Sequence, residues 1–224
     1  MPRIARIVGA RYPHHIVQRG NNKEKVFLDR EDYLKYLSLL ERYSTEKEAL
    51  ILTYCLMSNH VHLLIRPLEE KALSKMMQGI TLCYTQYFNR KYRRTGRLWE
   101  CRYYSTVIDE DRYLRAVCRY IENNPVRVGV VRKAEDYGYS SAKAHLLGAK
   151  DALLKESPFD KTELREYREF MRMPEEKAVL EEIRRQTRLG KPIGDGGFLK
   201  ALAKRLSRSL VFRPKGRPKK EIAK

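Results

Sequence analysis

The chain has 224 residues, with 47 Lys and Arg against 28 Asp and Glu, which gives a formal net charge of +19 at pH 7. A charge of this size favours polyanionic partners such as nucleic acids. Four cysteines without a C-x-x-C spacing argue against a zinc ribbon or a disulfide framework, and the lack of a signal peptide or a membrane-spanning stretch predicts a reduced, cytoplasmic protein with no membrane partner.

Hydrophobic periodicity predicts strands and helices in the order strand, helix, strand, strand, helix, strand, followed by one further helix. Ser58 and Asn59 form a tight turn that joins two of the strands into a hairpin. We expect Asp109 to cap the last helix and Pro125 to end it. The predicted elements cover residues 14–18, 29–47, 50–57, 60–65, 73–92, 103–108 and 109–123.

This order of elements is the split arrangement of ferredoxin-like folds. We expect an α+β protein in which two helices cover one face of an antiparallel sheet, while the further helix packs over the other face. The predicted domains are residues 1–150 for the sheet domain, 151–197 for a helical appendage and 198–224 for a basic tail. That tail has ten basic residues and one acid.

Two histidines lie two positions apart on the apolar strand that begins at His60. Because alternate residues of a strand point to the same face, His60 and His62 should project side by side, away from the apolar face of Val61, Leu63 and Ile65. Two imidazoles on one rigid face can bind a metal ion. The alternative is a pair of partly buried, hydrogen-bonded histidines without a metal.

Tyr120 and Asn124 are four positions apart on the helix that is predicted to cover that face, so they share one side of it. We interpret Tyr120 as a nucleophile toward a nucleic-acid phosphodiester, and Asn124 as an oxygen ligand that completes a site with the histidine pair. Glu122 should face away from Asn124 and is not assigned as a base. Since the chain has 15 tyrosines, a core aromatic is the alternative interpretation of Tyr120.

Candidate nucleic-acid-binding residues fall in a basic loop, at two other arginines and in the tail. Arginine contacts phosphate, and the ring of Trp99 can stack an unpaired base, although ordinary packing explains a lone tryptophan equally well. The end of the chain resembles an AT-hook, for which a basic tail without sequence preference is the alternative. The candidates are Arg19, Arg90, Arg97, Trp99, Arg102, Arg127, Arg213, Lys215 and Arg217.

Five stretches together resemble the REP-associated tyrosine transposases, relatives of the single-tyrosine insertion-sequence transposases and of the wider HUH endonucleases. The His-x-His and Tyr-Ile-x-x-Asn-Pro-Val-Arg-x-Gly elements, in this order, are the most specific. Ser58 stands where the family usually has proline, and Glu122 stands where some relatives carry a second tyrosine. The matching stretches are residues 14–22, 54–64, 87–90, 95–103 and 120–131.

The resemblance implies a chemistry for residues 1–150, taken as a single-tyrosine HUH transposase domain. It implies that His60, His62 and Asn124 bind a divalent metal, Mg²⁺ or Mn²⁺, which polarises the scissile phosphate of single-stranded DNA. Tyr120 then attacks phosphorus, forms a 5′-phosphotyrosine and releases a 3′-hydroxyl. The implied partners are DNA hairpins formed by palindromic repeats, bound by a nucleoid-associated bacterial monomer or homodimer.

Two other functions stay open from the sequence. A descendant of such an enzyme can bind hairpins without cleaving them, although all four proposed site residues are present. A ferredoxin-like RNA-binding module shares the sheet but stacks bases on sheet aromatics, and it requires neither the histidine pair nor the tyrosine. A covalent protein–DNA adduct distinguishes the enzyme from both alternatives.

Overall fold

The computed structural model describes residues 6–210, in which four strands form one antiparallel sheet. The strands are β1 (His14–Arg19), β2 (Ala49–Met57), β3 (His60–Pro67) and β4 (Tyr104–Val107). Their order across the sheet is β2-β3-β1-β4, with every pairing antiparallel. This is the ferredoxin-like order, so the predicted fold class is confirmed.

Helices lie on both faces of the sheet. The first two, α1 and α2, pack on one face, and the later helices cover the other face or its edge. In the described part of the chain the helices are α1 (Arg30–Glu46), α2 (Ala72–Lys91), α3 (Glu110–Glu122), α4 (Asn124–Arg127), α5 (Ala142–Leu147), α6 (Lys161–Arg172), α7 (Lys177–Leu189) and α8 (Gly196–Arg205).

The histidine strand β3 is central, because β2 pairs with one of its edges and β1 with the other. The two-residue turn at Ser58 and Asn59 closes the predicted hairpin, with Met57 opposite His60. Val61, Leu63 and Ile65 are fully buried against α1 and α2. By the alternation of a strand, His60 and His62 therefore face the opposite layer.

The opposite layer has its own hydrophobic cluster, to which both the sheet and the C-terminal helices contribute. Leu64 from β3 and Ile121 from α3 are fully buried in it, and so are Tyr167 from α6 and Ile183 from α7. The predicted helical appendage is thus packed on the same sheet face as α3. This packing places α7 beside the histidine strand.

Two predicted boundaries differ from the structure. The helix that was predicted to run to Pro125 ends earlier, because α3 stops at Glu122. Pro125 lies in the first turn of the next helix, α4, where a missing N–H is tolerated. The segment predicted as a basic tail begins as helix α8, whose Leu202 packs with Ile7 and Val107 at the edge of the sheet. Within residues 6–210, no helix is both long and apolar enough to cross a membrane.

Candidate active site

A cleft of about 820 Å³ opens on the α3 face of the sheet. His60 and His62 from β3 line it, together with Tyr120 from α3 and Asn124 from α4. The four residues selected from the sequence for chemistry are therefore brought together by the fold. They reach one cleft because β3 is central and α3 crosses the face to which the histidines point.

The tautomer of His60 is determined by a hydrogen bond to Asn59, its neighbour in the turn. Its Nδ1 lies 2.6 Å from Oδ1 of Asn59, and the Asn59 amide nitrogen donates to the backbone carbonyl of Lys23 at 3.1 Å. Since that second bond fixes the orientation of the amide, Asn59 Oδ1 must accept a hydrogen bond from the Nδ1–H group of His60. The Nε2 of a neutral His60 then carries the free electron pair.

His62 is held by a residue that sequence reasoning did not select. Its Nδ1 lies 3.0 Å from Nε2 of His15 on β1, and the two rings stack with centroids 5.3 Å apart. The other ring nitrogen of His15 lies 2.9 Å from Oγ1 of Thr187 on α7. Among the described residues, neither His60 nor His62 has a hydrogen-bond partner at Nε2.

Burial keeps these imidazoles neutral. It lowers the pKa of His60 from 6.5 to about 4 and that of His15 to about 3. The pKa of His62 is well below its ordinary value, first because of burial, then because of the neighbouring His60 and His15, and last because of the positive charges of Arg127 and Arg19. Neutral imidazole is the form that ligates a metal, so this environment preserves the electron pairs at neutral pH.

Tyr120 lies at the wall of the cleft with only 7% of its surface exposed. Its ring meets those of His15 and His62 edge to face, at centroid distances of 5.6 and 5.5 Å. The guanidinium of Arg127 lies 4.7 Å from the ring centroid and that of Arg184 lies 6.0 Å from it. The tyrosine is therefore flanked by neutral imidazoles on the sheet side and by cations beside the ring.

The lining of the cleft is strongly basic. Arg127 is paired with Glu175 at 2.8 Å and Arg185 with Glu182, whereas the remaining arginines of the lining form no ion pair with any residue of 6–210. The charged residues of the lining are Arg19, Arg127, Arg184, Arg185, Arg188, Glu100 and Glu181. Five arginines against two glutamates suit an anionic ligand.

The donor set fits a divalent metal only with an amide as its third protein donor. No group of three His, Cys, Asp or Glu side chains is arranged to hold a metal within the part of the chain that the structure describes. His60 and His62 offer two imidazole nitrogens, and Asn124, buried in the same cleft, offers a carboxamide oxygen. A divalent metal held by this mixed nitrogen and oxygen set would have coordination positions left for other ligands.

The predicted DNA-binding residues fall into different places. Arg19 and Arg127 line the cleft. Arg90, Arg97 and Arg102 are exposed but lie outside the lining. The tail candidates lie outside the described residues; they are Arg213, Lys215 and Arg217.

Trp99 is a core residue in this structure. It is 5% exposed and packs near Tyr36 and Tyr84, with ring centroids 6.2 and 6.0 Å away. Its indole is therefore not available to stack a base, and of the two interpretations offered by the sequence, packing accounts for its position.

Glu122 stays out of the cleft, as its position on the helix predicted. It is fully buried and accepts hydrogen bonds from Ser141 at 2.6 Å, His145 at 2.7 Å and Tyr167 at 2.8 Å. These partners come from α5, its preceding turn and α6. At the position where some relatives have a second tyrosine, this chain therefore has a buried link between α3 and the C-terminal layer.

Sequence reasoning missed His15 and the whole contribution of α7. The alternation of residues along β1 could have identified His15. This residue pairs with Leu64 and therefore lies on the same face of the sheet as His62. No comparable signal exists for Thr187 or Arg184, whose place in the site depends on how α7 packs. Their helical periodicity identifies a buried side of α7 but not what that side contacts.

The chain contains a domain of the transposase class, as its match to a family model shows. The family model described as "Transposase IS200 like" matches residues 10–124, just over half of the chain, and the chain belongs to this family. Asn124 is the last residue of the match, so α4 to α8 lie almost wholly beyond it. The resemblance inferred from the motifs is confirmed.

One protein relative and one solved structure are also similar to this chain. The chain is 29% identical over 117 residues to a protein of Haemophilus influenzae named as a REP-associated tyrosine transposase, over 47% of this chain and 64% of the relative's length. It is also similar to the solved structure of a REP-associated tyrosine transposase bound to a REP hairpin, with a TM-score of 0.55 and 15% identity. That match covers 71% of this chain and 94% of the other, and it supports the fold.

Proposed function

We propose that this protein is a metal-dependent endonuclease and strand transferase that nicks and rejoins single-stranded DNA at palindromic hairpin repeats. The observation that carries the proposal is the convergence of Tyr120, His60, His62 and Asn124 in one basic cleft. A nucleophile, metal donors and phosphate-binding cations then act on one phosphate without further assembly.

The proposed substrate rests on charge and on the structural relative. The solved transposase of similar fold is bound to a REP hairpin, which supports a hairpin partner for this chain. The arginines of the cleft support a phosphodiester backbone as the ligand, since guanidinium groups pair well with phosphate oxygens. Arg19, Arg184 and Arg188, which have no ion-pair partner within residues 6–210, are the cations most available for that role.

In the proposed reaction, the Tyr120 hydroxyl oxygen attacks the scissile phosphorus. A new P–O bond to tyrosine forms while the P–O3′ bond breaks, and the departing 3′ oxygen takes up a proton as the phenol loses one. The products are a 5′-phosphotyrosine and a free 3′-hydroxyl. Because one phosphodiester replaces another, the 3′-hydroxyl can reverse the step and rejoin DNA without ATP.

The side chains of the cleft divide the remaining work. When bound, Mg²⁺ or Mn²⁺ supplies a Lewis acid that draws negative charge from the scissile phosphate. His60 and His62 would hold it through Nε2, and Asn124 through its carboxamide oxygen. Arg127 holds the backbone of Tyr120 in place through its hydrogen bond to the carbonyl oxygen.

Residues away from the cleft are proposed to bind the hairpin itself. Arg90 in the last turn of α2, and Arg97 and Arg102 in the loop that follows this helix, are exposed cations. The tail candidates, outside the described residues, add three more basic side chains. All four proposed site residues come from one chain, so a monomer contains a complete site, and a homodimer would contain two.

The proposal is tested by incubating the full chain with a 5′- or 3′-labelled single-stranded DNA hairpin and Mn²⁺. We expect a covalent protein–DNA adduct and a released fragment ending in a 3′-hydroxyl. Two matched substrates serve as controls: the same hairpin made of RNA and a DNA strand of equal length without the palindrome. Hairpin binding without any adduct would support the non-cleaving alternative, and preferential binding of the RNA hairpin would support the RNA-binding module.

A further inference from the structure

Three buried polar side chains from three separate elements form one hydrogen-bonded chain beneath the cleft. His62 on β3 contacts His15 on β1 at 3.0 Å, and His15 contacts Thr187 on α7 at 2.9 Å. The three residues are 4%, 1% and 5% exposed. Among the hydrogen bonds within residues 6–210, this is the only connection in the site that links the sheet to α7 entirely through buried side chains.

The hydrogen bonds in this row of three side chains can run in only two directions, because a neutral imidazole carries one N–H and one electron pair. In the first, His62 Nδ1 donates to His15 Nε2, and His15 Nδ1 donates to the Thr187 hydroxyl. In the second, the hydroxyl donates to His15, and His15 donates to His62. Only the first direction leaves His62 with a free electron pair at Nε2.

We propose that Thr187 and His15 are positioning residues that hold His62 with its proton on Nδ1 and its Nε2 electron pair available to the cleft. The effect of this arrangement on metal binding rests on the proposed function, whereas the hydrogen-bonded geometry itself does not depend on that proposal. Thr187 lies on a helix outside the matched family region. The active site is therefore completed by the C-terminal layer of this chain.

Two features of the site favour the first direction. Arg19 and Arg127 line the same cleft as His62, and positive charges nearby are better complemented by an electron pair than by an N–H. His60, the other member of the pair, is already held with its proton on Nδ1 by Asn59. Both imidazoles would then present the same nitrogen. Metal-ligating histidines characteristically donate their other N–H to a fixed acceptor.

The test compares Thr187→Val, which keeps the shape but removes the hydroxyl, with Thr187→Ser, which retains it. Thr106→Val is the matched control, because Thr106 is also buried and also bonds α7, donating to the Gln186 carbonyl at 3.3 Å. It is the cross-strand neighbour of His15 on β4, but its hydroxyl forms no hydrogen bond with the His15 ring. Each full-length variant is titrated with Mn²⁺ by calorimetry. The tautomer of His62 is read from two-bond ¹H–¹⁵N correlation spectra of the metal-free protein at pH 7.

We expect the parent protein, Thr187→Ser and Thr106→Val to keep the His62 proton on Nδ1. Thr187→Val should move part of it to Nε2 and weaken Mn²⁺ binding by about 10- to 100-fold. A parent His62 with its proton on Nε2 would overturn the inference. So would a Thr187→Val spectrum and affinity equal to the parent's, or equal losses in Thr187→Val and Thr106→Val, which would indicate only the docking of α7. Because the spectra need neither metal nor DNA, failure of hairpin cleavage would count against the proposed function alone.

Discussion

Arg127 lies across the ring of Tyr120, with its guanidinium carbon 4.7 Å from the ring centroid, and it donates to the backbone carbonyl of Tyr120 at 3.2 Å. The same guanidinium pairs with Glu175 at 2.8 Å. One side chain therefore joins the proposed nucleophile, the turn that carries Asn124 and the segment before α7. The planar fork of arginine makes these contacts at once, which an ammonium group cannot do.

We predict that Arg127→Lys slows cleavage about 10- to 100-fold, because a lost positioning contact moves the nucleophile relative to the phosphate. Hairpin affinity should change much less, since the charge is kept. Single-turnover cleavage rates and binding titrations separate the two effects. Arg132→Lys is the matched control, because Arg132 is exposed and lies outside the cleft. Equal losses of rate in both variants would argue against a positioning role for Arg127.

The metal proposal predicts a graded response to loss of the donors. His60→Ala and His62→Ala should abolish cleavage, and excess EDTA should do the same to the parent until Mn²⁺ is restored. Asn124→Ala should weaken Mn²⁺ binding more mildly, because it removes a neutral oxygen donor. Asn123→Ala controls for the loss of an amide beside it, since Asn123 does not line the cleft. Undiminished cleavage in excess EDTA would contradict the metal model.

A pH dependence of stability follows from His14, which is fully buried away from the metal donors. Its Nδ1 donates to the Tyr12 carbonyl at 2.7 Å, and its Nε2 accepts from the Gly9 N–H at 3.2 Å, so only the neutral form satisfies both bonds. Burial, partly offset by the bond to Tyr12, lowers the pKa of His14 from 6.5 to about 4. The unfolded chain therefore takes up a proton at a higher pH than the folded chain does.

The stabilising contribution of neutral His14 should be complete above pH 6.5 and should be lost as the pH falls toward 4. At about 1.4 kcal/mol per pKa unit, the loss amounts to about 3 kcal/mol over that range. Urea unfolding at several pH values measures it. In His14→Gln, which cannot titrate, the free energy of unfolding should fall less between pH 6.5 and 4. An equally steep fall in parent and variant would show that His14 does not carry this dependence.

The tail prediction concerns salt dependence. Residues 211–224 contain six basic residues and one acid, and each phosphate that they neutralise changes the log–log salt slope by about 0.7 for single strands. A chain ending at Leu210 keeps α8 intact and should bind hairpins more weakly, with a flatter slope. Titrations against hairpins with A·T-rich or G·C-rich flanks test the AT-hook interpretation, which requires a preference for A·T flanks. Identical slopes for the two proteins would show that the tail contacts no phosphate.

Local sequence patterns were enough to predict the sheet and the four side chains of the candidate site that come from β3, α3 and α4. The alternation around Val61 and Leu63 fixed the face of His60 and His62, and the four-residue spacing from Tyr120 to Asn124 placed both on the side that lines the cleft. Periods of two and of about four are properties of the backbone, so they are readable without tertiary information.

The remainder of the site depends on contacts between distant residues. Thr187 and His15 are 172 positions apart, and no spacing rule links a helix face to a strand at that separation. Trp99 is a second example, because the sequence left base stacking and ordinary packing equally open, and the structure places its ring beside Tyr36 and Tyr84. Charged neighbours in the sequence do not determine whether a side chain in a loop points to solvent or into the core.

The central claim is that Tyr120 is the nucleophile. Its most direct test is to trap the protein on a labelled DNA hairpin with Mn²⁺, digest the complex with protease and identify the nucleotide-bearing peptide by tandem mass spectrometry. We predict a phosphodiester link at Tyr120, loss of the adduct in Tyr120→Phe with hairpin binding retained, and an unchanged adduct in Tyr104→Phe, a second tyrosine of the cleft lining. A link at any other residue, or an adduct that persists in Tyr120→Phe, would contradict the claim.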